Sequence, residues 1–138
     1  SFGSVALALT LILKLTFLEI LTGSSRYLAL LAAPVLSRWT VVMLAVLFKP
    51  ARRQGFGRQI IGRVYFSELA LATTFLLPLA LIFAFWFPWA LLLFLLPLFS
   101  YLLALYLQRQ FSGLTGDHLG FSLEVQETLC WLMIGLVL

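Results

Sequence analysis

The sequence predicts an all-α protein: a polytopic transmembrane helix bundle of about five spans, some of them kinked by proline. Three observations carry that prediction. Of 138 residues, 63% are hydrophobic and only 10% are charged, too few polar groups to cover a soluble domain of this size; mean hydropathy is +1.11. The apolar residues come in runs of roughly the 17–25 residues that a hydrocarbon core asks of a helix. Those runs are continuous rather than alternating, which excludes a barrel and leaves helices to pair the backbone inside lipid.

The first run extends from about Val5 to Leu21, where TGSSR interrupts it. The second covers Tyr27 to Phe48, the third roughly Leu69 to Phe87, and FPW at 87–89 reads as a tight turn. The fourth runs from Ala90 to about Leu107, and the fifth from near Leu119 to Leu138. Pro34, Pro78 and Pro97 fall inside runs and are expected to kink them or break their ladders. No internal repeat or low-complexity tract divides the chain, so residues 1–138 read as one integral-membrane domain. Ser at position 1 and an apolar run still open at Leu138 make us expect more protein before the chain and a little after it. A lone cysteine, Cys130, has no partner for an internal disulfide.

Charge sets the orientation. Five of the nine Lys and Arg occupy one connection: Lys49, Arg52, Arg53, Arg58 and Arg63. A short, basic loop belongs on the cytoplasmic side of a cell (inner) membrane. Loop 49–66 is therefore cytoplasmic, and alternation returns loop 108–118 to the same face. Arg26 is the one basic residue in an outer loop.

The rare polar groups suggest where chemistry could lie. In the connection KPARRQGFGRQIIGR, the plain reading is topology and contact with anionic lipid. The alternative is that Gly55 and Gly57 let backbone amides approach a phosphate between Arg52, Arg53 and Arg58, whose forks match phosphate oxygens. Arg38 lies near the middle of the second run, where a cation costs at least about 2.5–3.5 kcal/mol and needs a partner or a wet cavity. It reads either as one half of an ion pair, with Glu19 or Glu68 available, or as an anion contact in a polar pocket. Lys14 and Glu19 are five residues apart, about 140° around the helix, so they do not pair; Lys14 is expected to snorkel toward an edge.

SGLTGDHLG, residues 112–120, gathers three glycines with the only Asp and the only His of the chain. Thr115 or Asp117 can cap the helix that follows. On that helix Asp117, Glu124 and Glu127 lie within roughly an 80° arc, yet about 10 and 15 Å from Asp117 along the axis, too far apart for one metal ion. If Asp117 or Glu127 holds a divalent cation, other carboxylates must come from elsewhere. Oxygen ligands of this kind suit Mg²⁺ bound together with substrate phosphates. His118 standing alone reads as incidental.

GLTGDHLG followed by EVQE resembles the signature near the end of the cobalamin synthase (adenosylcobinamide-GDP ribazoletransferase) family, Gly-Gly-x-Thr-Gly-Asp-x-Leu-Gly-Ala with acids and amides after it. FGSVALALTLILKLTFLEIL resembles the family's Gly-x-x-Gly stretch with its Lys inside an apolar span. LAAPVLSRWTVVML and PARRQGFG resemble its Pro-x-x-Ser-Arg segment and its basic Arg-x-x-Gly-x-Gly turn. The three regions are collinear and cover nearly the whole chain. Ser112 stands where a Gly is usual, and Phe121 stands where a small residue is expected and would narrow the pocket. The family's upstream acidic cluster, of the type Asp-Gly-Leu-x-Asp-x-x-Asp, is absent from these residues.

The resemblance implies a membrane phosphotransferase. The 5′ end of α-ribazole, or of its 5′-phosphate, attacks the phosphate linking adenosylcobinamide to GMP, and GMP leaves in a late step of cobalamin biosynthesis. Catalysis of such transfers is mostly positioning and charge neutralisation. By this resemblance Arg52, Arg53 and Arg58, with Gly55 and Gly57, would hold the pyrophosphate. Arg38 would neutralise charge deeper in, and Thr115 and Gly116 would line the substrate. Asp117 would bind Mg²⁺ with the missing cluster or orient the attacking hydroxyl, and Glu127 is a second metal candidate. The implied partners are adenosylcobinamide-GDP, α-ribazole, the bilayer and the N-terminal part of the same protein. No nucleic acid is implied, and homo-oligomerisation stays open. Rival readings are a phosphotransferase of the CDP-alcohol type and a transporter subunit. The transporter predicts ionisable residues facing one another at mid-membrane, whereas here they are expected mostly at one rim.

Overall fold

A computed structural model of the chain describes residues 2–50, 61, 63–85, 87–111 and 113–137. Among the described residues the elements are five helices: α1 Phe2–Ile20, α2 Ser24–Leu47, α3 Phe66–Ala84, α4 Phe87–Phe111 and α5 Gly116–Val137. Each expected run falls on one of them. The prolines do not end their helices: Pro34, Pro78 and Pro97 lie inside α2, α3 and α4. FPW, expected as a turn, instead opens α4, with Pro88 in its first turn. The first N–H groups of a helix have no partner in any case, so proline is tolerated there.

α5 packs on α1, α2 and α4, and α2 also touches α3 and α4. These two helices therefore form the centre and α1 and α3 the flanks. Among the described residues four of the six pairings, α1–α5, α2–α5, α2–α3 and α4–α5, carry side-chain hydrogen bonds besides their apolar contacts. The Trp131 indole donates to the Ala29 carbonyl at 3.0 Å, joining α5 to α2, and the Trp39 indole donates to Thr73 Oγ1 at 3.0 Å, joining α2 to α3. The core divides into two apolar clusters. One, around Leu21, Ala29, Ala33, Leu36, Leu79, Leu96, Trp131 and Ile134, fills the end where α1 turns into α2. The other, around Leu44, Phe48, Ile61, Ala104, Leu114 and Leu119, fills the opposite end. Between them Ser37, Thr40, Ser100, Gln126 and Glu127 are buried. Outside, large apolar side chains stand open on the helices, among them Leu15, Phe75, Leu81 and Phe94.

The glycine-rich stretch is built by local rules. Gly113 has φ 147°, a backbone conformation that a side chain strains. Thr115 precedes α5 as its N-cap: its Oγ1 accepts the His118 N–H at 3.2 Å, while His118 Nδ1 accepts the Thr115 N–H at 3.1 Å. This is a capping box with His in the place usually held by Glu or Gln. Thr115, rather than Asp117, is thus the cap, and His118 has a structural role. Replacing Thr115 with Ala should cost about 1 kcal/mol, read as a lowered thermal unfolding midpoint of the detergent-solubilised protein; Thr115→Ser should restore it.

Candidate functional site

Helix alternation brings the end of α2, the start of α3, the end of α4 and the start of α5 to one end of the bundle. There the Leu114 N–H donates to the Lys49 carbonyl at 2.9 Å, and Pro50 and Leu114 form an isolated parallel bridge. Ile61, on the far side of the basic connection, is buried in the same cluster as Leu114 and Leu119. Both flanks of the arginine-rich segment are therefore fixed beside the glycine-rich stretch. Arg52, Arg53, Arg58, Gly55 and Gly57 themselves lie outside the described residues.

At this rim Asp117 is exposed in the first turn of α5. A carboxylate there is favoured by the partial positive charge of the helix start. Thr115 and Gly116 beside it are half-buried. Phe121 is half-exposed.

About 15 Å along α5 from Asp117, a second polar layer forms that sequence periodicity did not foresee. Lys14 of α1 places Nζ 2.6 Å from Glu124 Oε2 and 2.8 Å from Glu127 Oε2. Glu127 Oε1 accepts from Ser37 Oγ at 3.0 Å and from Arg38 Nη1 at 3.2 Å. Lys14 does not snorkel to an edge; it is held inside by two acids of another helix. Arg38 pairs with neither Glu19 nor Glu68. Glu19 is exposed, and Glu68 accepts from the Tyr65 N–H and the Ser67 hydroxyl at the start of α3. Two cations and two carboxylates from three helices thus form a neutral quartet. Beside it the Gln126 amide donates to Thr40 Oγ1 and accepts from Ser100 Oγ, both at 2.9 Å, which ties α5 to α2 and α4.

Arg38 differs from the other members. Its side chain is 65% exposed against 12% for Lys14 and Glu127. It borders a groove of about 260 Å³ between α2 and α3, lined also by Val35, Trp39, Val42, Ala72 and Phe75. Among the described residues its guanidinium bonds run through Nη1, to Glu127 and to the Pro34 carbonyl.

For a divalent cation the fit is incomplete. Among the described residues no group of three or more His, Cys, Asp or Glu could hold a metal ion. Asp117 offers one open carboxylate, while both oxygens of Glu127 are engaged by Lys14, Arg38 and Ser37. These residues alone do not make a magnesium site.

A helical bundle with basic and acidic groups at one end and an ion layer below them is the class of protein that these features define. The chain matches the family model for cobalamin-5-phosphate synthase over residues 1–135, and it belongs to that family. It is 34% identical over 142 residues to an adenosylcobinamide-GDP ribazoletransferase of Thermodesulfovibrio yellowstonii, a match covering 95% of this chain and 53% of the relative. It is 36% identical over 127 residues to one of Roseiflexus sp. strain RS-1, covering 92% and 47%. It is 29% identical over 146 residues to one of Thermoanaerobacter sp. strain X514, covering 97% and 55%. The chain thus spans about half the length of the curated relatives it matches. No solved structure matches it.

Gln126 is the clearest test of the buried layer. Thr40→Val leaves one amide N–H without its acceptor, and the loss should be about 1 kcal/mol. Thermal unfolding in detergent checks this, and Thr40→Ser should recover most of the loss.

Proposed function

We propose that this chain supplies the helical half of a membrane adenosylcobinamide-GDP ribazoletransferase, carrying the residues that hold the nucleotide-linked substrate and orient the attacking ribazole. The observation that carries the reading is the tie between Lys49 and Leu114: it sets the flank of an arginine-rich connection against the loop that presents Thr115, Gly116 and Asp117. A phosphoryl transfer needs cations on the phosphates and a group that orients the nucleophile, held within reach of one another. In the proposal Arg52, Arg53 and Arg58, with Gly55 and Gly57, grip the pyrophosphate. Asp117 orients the 5′ hydroxyl of α-ribazole or contributes one carboxylate to Mg²⁺ bound with substrate phosphates. Glu127, already engaged by two cations, is the weaker metal candidate. GMP leaves from the same rim.

The reading includes a multi-pass inner-membrane location with loops 49–66 and 108–118 on the cytoplasmic side, in a single domain. The apolar exterior supports it, as does α2: by length and composition, Arg26–Leu47 is long and apolar enough to cross a bilayer. Arg38 adds a further argument. An open guanidinium at mid-span is costly against lipid, so the groove beside it is read as wet or filled by substrate. The transporter alternative gains from the meeting of ionisable groups at mid-depth. Yet Lys14 and Glu127 are withdrawn from the surface by their pairing, whereas a pathway needs ionisable groups of several spans open to it.

Asp117→Asn in the full-length protein should abolish GMP release from adenosylcobinamide-GDP while the protein still inserts and elutes as a folded species; wild-type turnover would remove Asp117 from the site. Single cysteines placed at residues 55 and 116 should react with an impermeant maleimide from the cytoplasmic side of oriented vesicles. Labelling from opposite sides would end the shared-face arrangement.

A further inference from the structure

We infer that Lys14 is a positioning residue for Arg38, acting through Glu127, and that it keeps the arginine free to take an anionic substrate. The inference rests on the reading of Arg38 as a substrate contact. An arginine beside a carboxylate ordinarily closes a two-point fork with both oxygens. Here the fork is not closed. Lys14 Nζ occupies Glu127 Oε2 at 2.8 Å, and Ser37 Oγ shares Oε1 at 3.0 Å. Arg38 is left with one contact to the acid, at 3.2 Å through Nη1, and its side chain stays 65% exposed on the groove between α2 and α3.

Removing the ammonium would leave Oε2 a buried acceptor with no donor, a state that costs more than the bond itself contributes. The nearest cation able to satisfy it is Arg38. The guanidinium would turn inward to form the full fork and withdraw its remaining donors from the groove. Lys14 thus acts at a distance, without touching substrate. Glu124, the other partner of Lys14 at 2.6 Å, holds the ammonium in line so that it does not follow Glu127 alone.

The experiment uses the full-length enzyme in detergent or vesicles, with KM for adenosylcobinamide-GDP and kcat measured separately. Lys14→Met should raise KM by about fivefold or more, as expected when a charged contact to an anion is weakened, with kcat held within about twofold. Lys14→Arg still fills Glu127 Oε2 and should return KM to within about twofold of wild type. The double variant Lys14→Met with Glu124→Gln keeps the layer neutral, so it makes the same test should the single variant fail to fold, and it should show the same rise in KM. A wild-type KM in the double variant would overturn the inference, as would a fall in kcat or thermal stability with KM unmoved. Arg38→Ala is run alongside. If it leaves KM unchanged, the premise that Arg38 contacts substrate fails and the inference with it. If it raises KM while the Lys14 variants do not, only the positioning role fails.

Discussion

One carboxylate organises the middle of this bundle. Glu127 is nearly buried on α5 and takes Lys14 from α1 on one oxygen and Arg38 and Ser37 from α2 on the other. Charges drawn away from water are tolerated only when paired and hydrogen-bonded on all sides. That requirement fixes the rotation of three helices about their axes at once. A turn of α5 by one residue, about 100°, would carry Glu127 away from both cations and leave three groups uncompensated. The two apolar clusters above and below are compatible with many rotations, because Leu, Ala and Ile contacts are not directional. The ion layer is what selects one.

This register has a consequence at the rim. With Glu127 facing α1 and α2, the start of α5 is carried to the place where Leu114 can reach the Lys49 carbonyl and Leu119 can join Leu44 and Phe48. The glycine-rich stretch is therefore positioned twice. Its own cap, Thr115 with His118, sets its local shape. The ion quartet, two to three turns deeper, sets its orientation relative to Phe48 and Lys49 at the end of α2.

The division between what was legible in the sequence and what was not follows the range of the forces involved. Continuous apolar runs declare helices, and all five expected runs correspond to observed ones, with ends displaced by a few residues. Proline was misread at Phe87–Trp89 because a residue that ends helices also starts them. The Thr115 cap was within reach, since capping is a relation across three residues, although Asp117 satisfied the same rule on paper. Partners across the chain were a different matter. Lys14 lies 110 residues from Glu124 and 113 from Glu127, and no period links them. The signal present was the content of the runs: two cations inside the first two, and three acids, Glu19, Glu124 and Glu127, inside the first and the fifth. Those charges narrow the choice to Glu19, Glu124 and Glu127, and only the packing of α5 on α1 and α2 selects the last two.

The same accounting separates structural from chemical roles among the acids. Glu124 and Glu127 are committed, because the cations they neutralise have no other described carboxylate in reach of the layer. Among the described residues Asp117 is uncommitted: it is exposed in the first turn of α5 and leaves the capping to Thr115. A carboxylate with no such role, in a helix start tied through Leu114 to Lys49, is free to interact with a ligand. Arg38 stands between the two cases. Its single contact to Glu127 is enough to anchor it at mid-depth and too little to neutralise it. The bundle thus presents one open acid at the rim and one half-satisfied cation below it, and a large anionic substrate could engage both without disturbing the pairs that hold the helices in register.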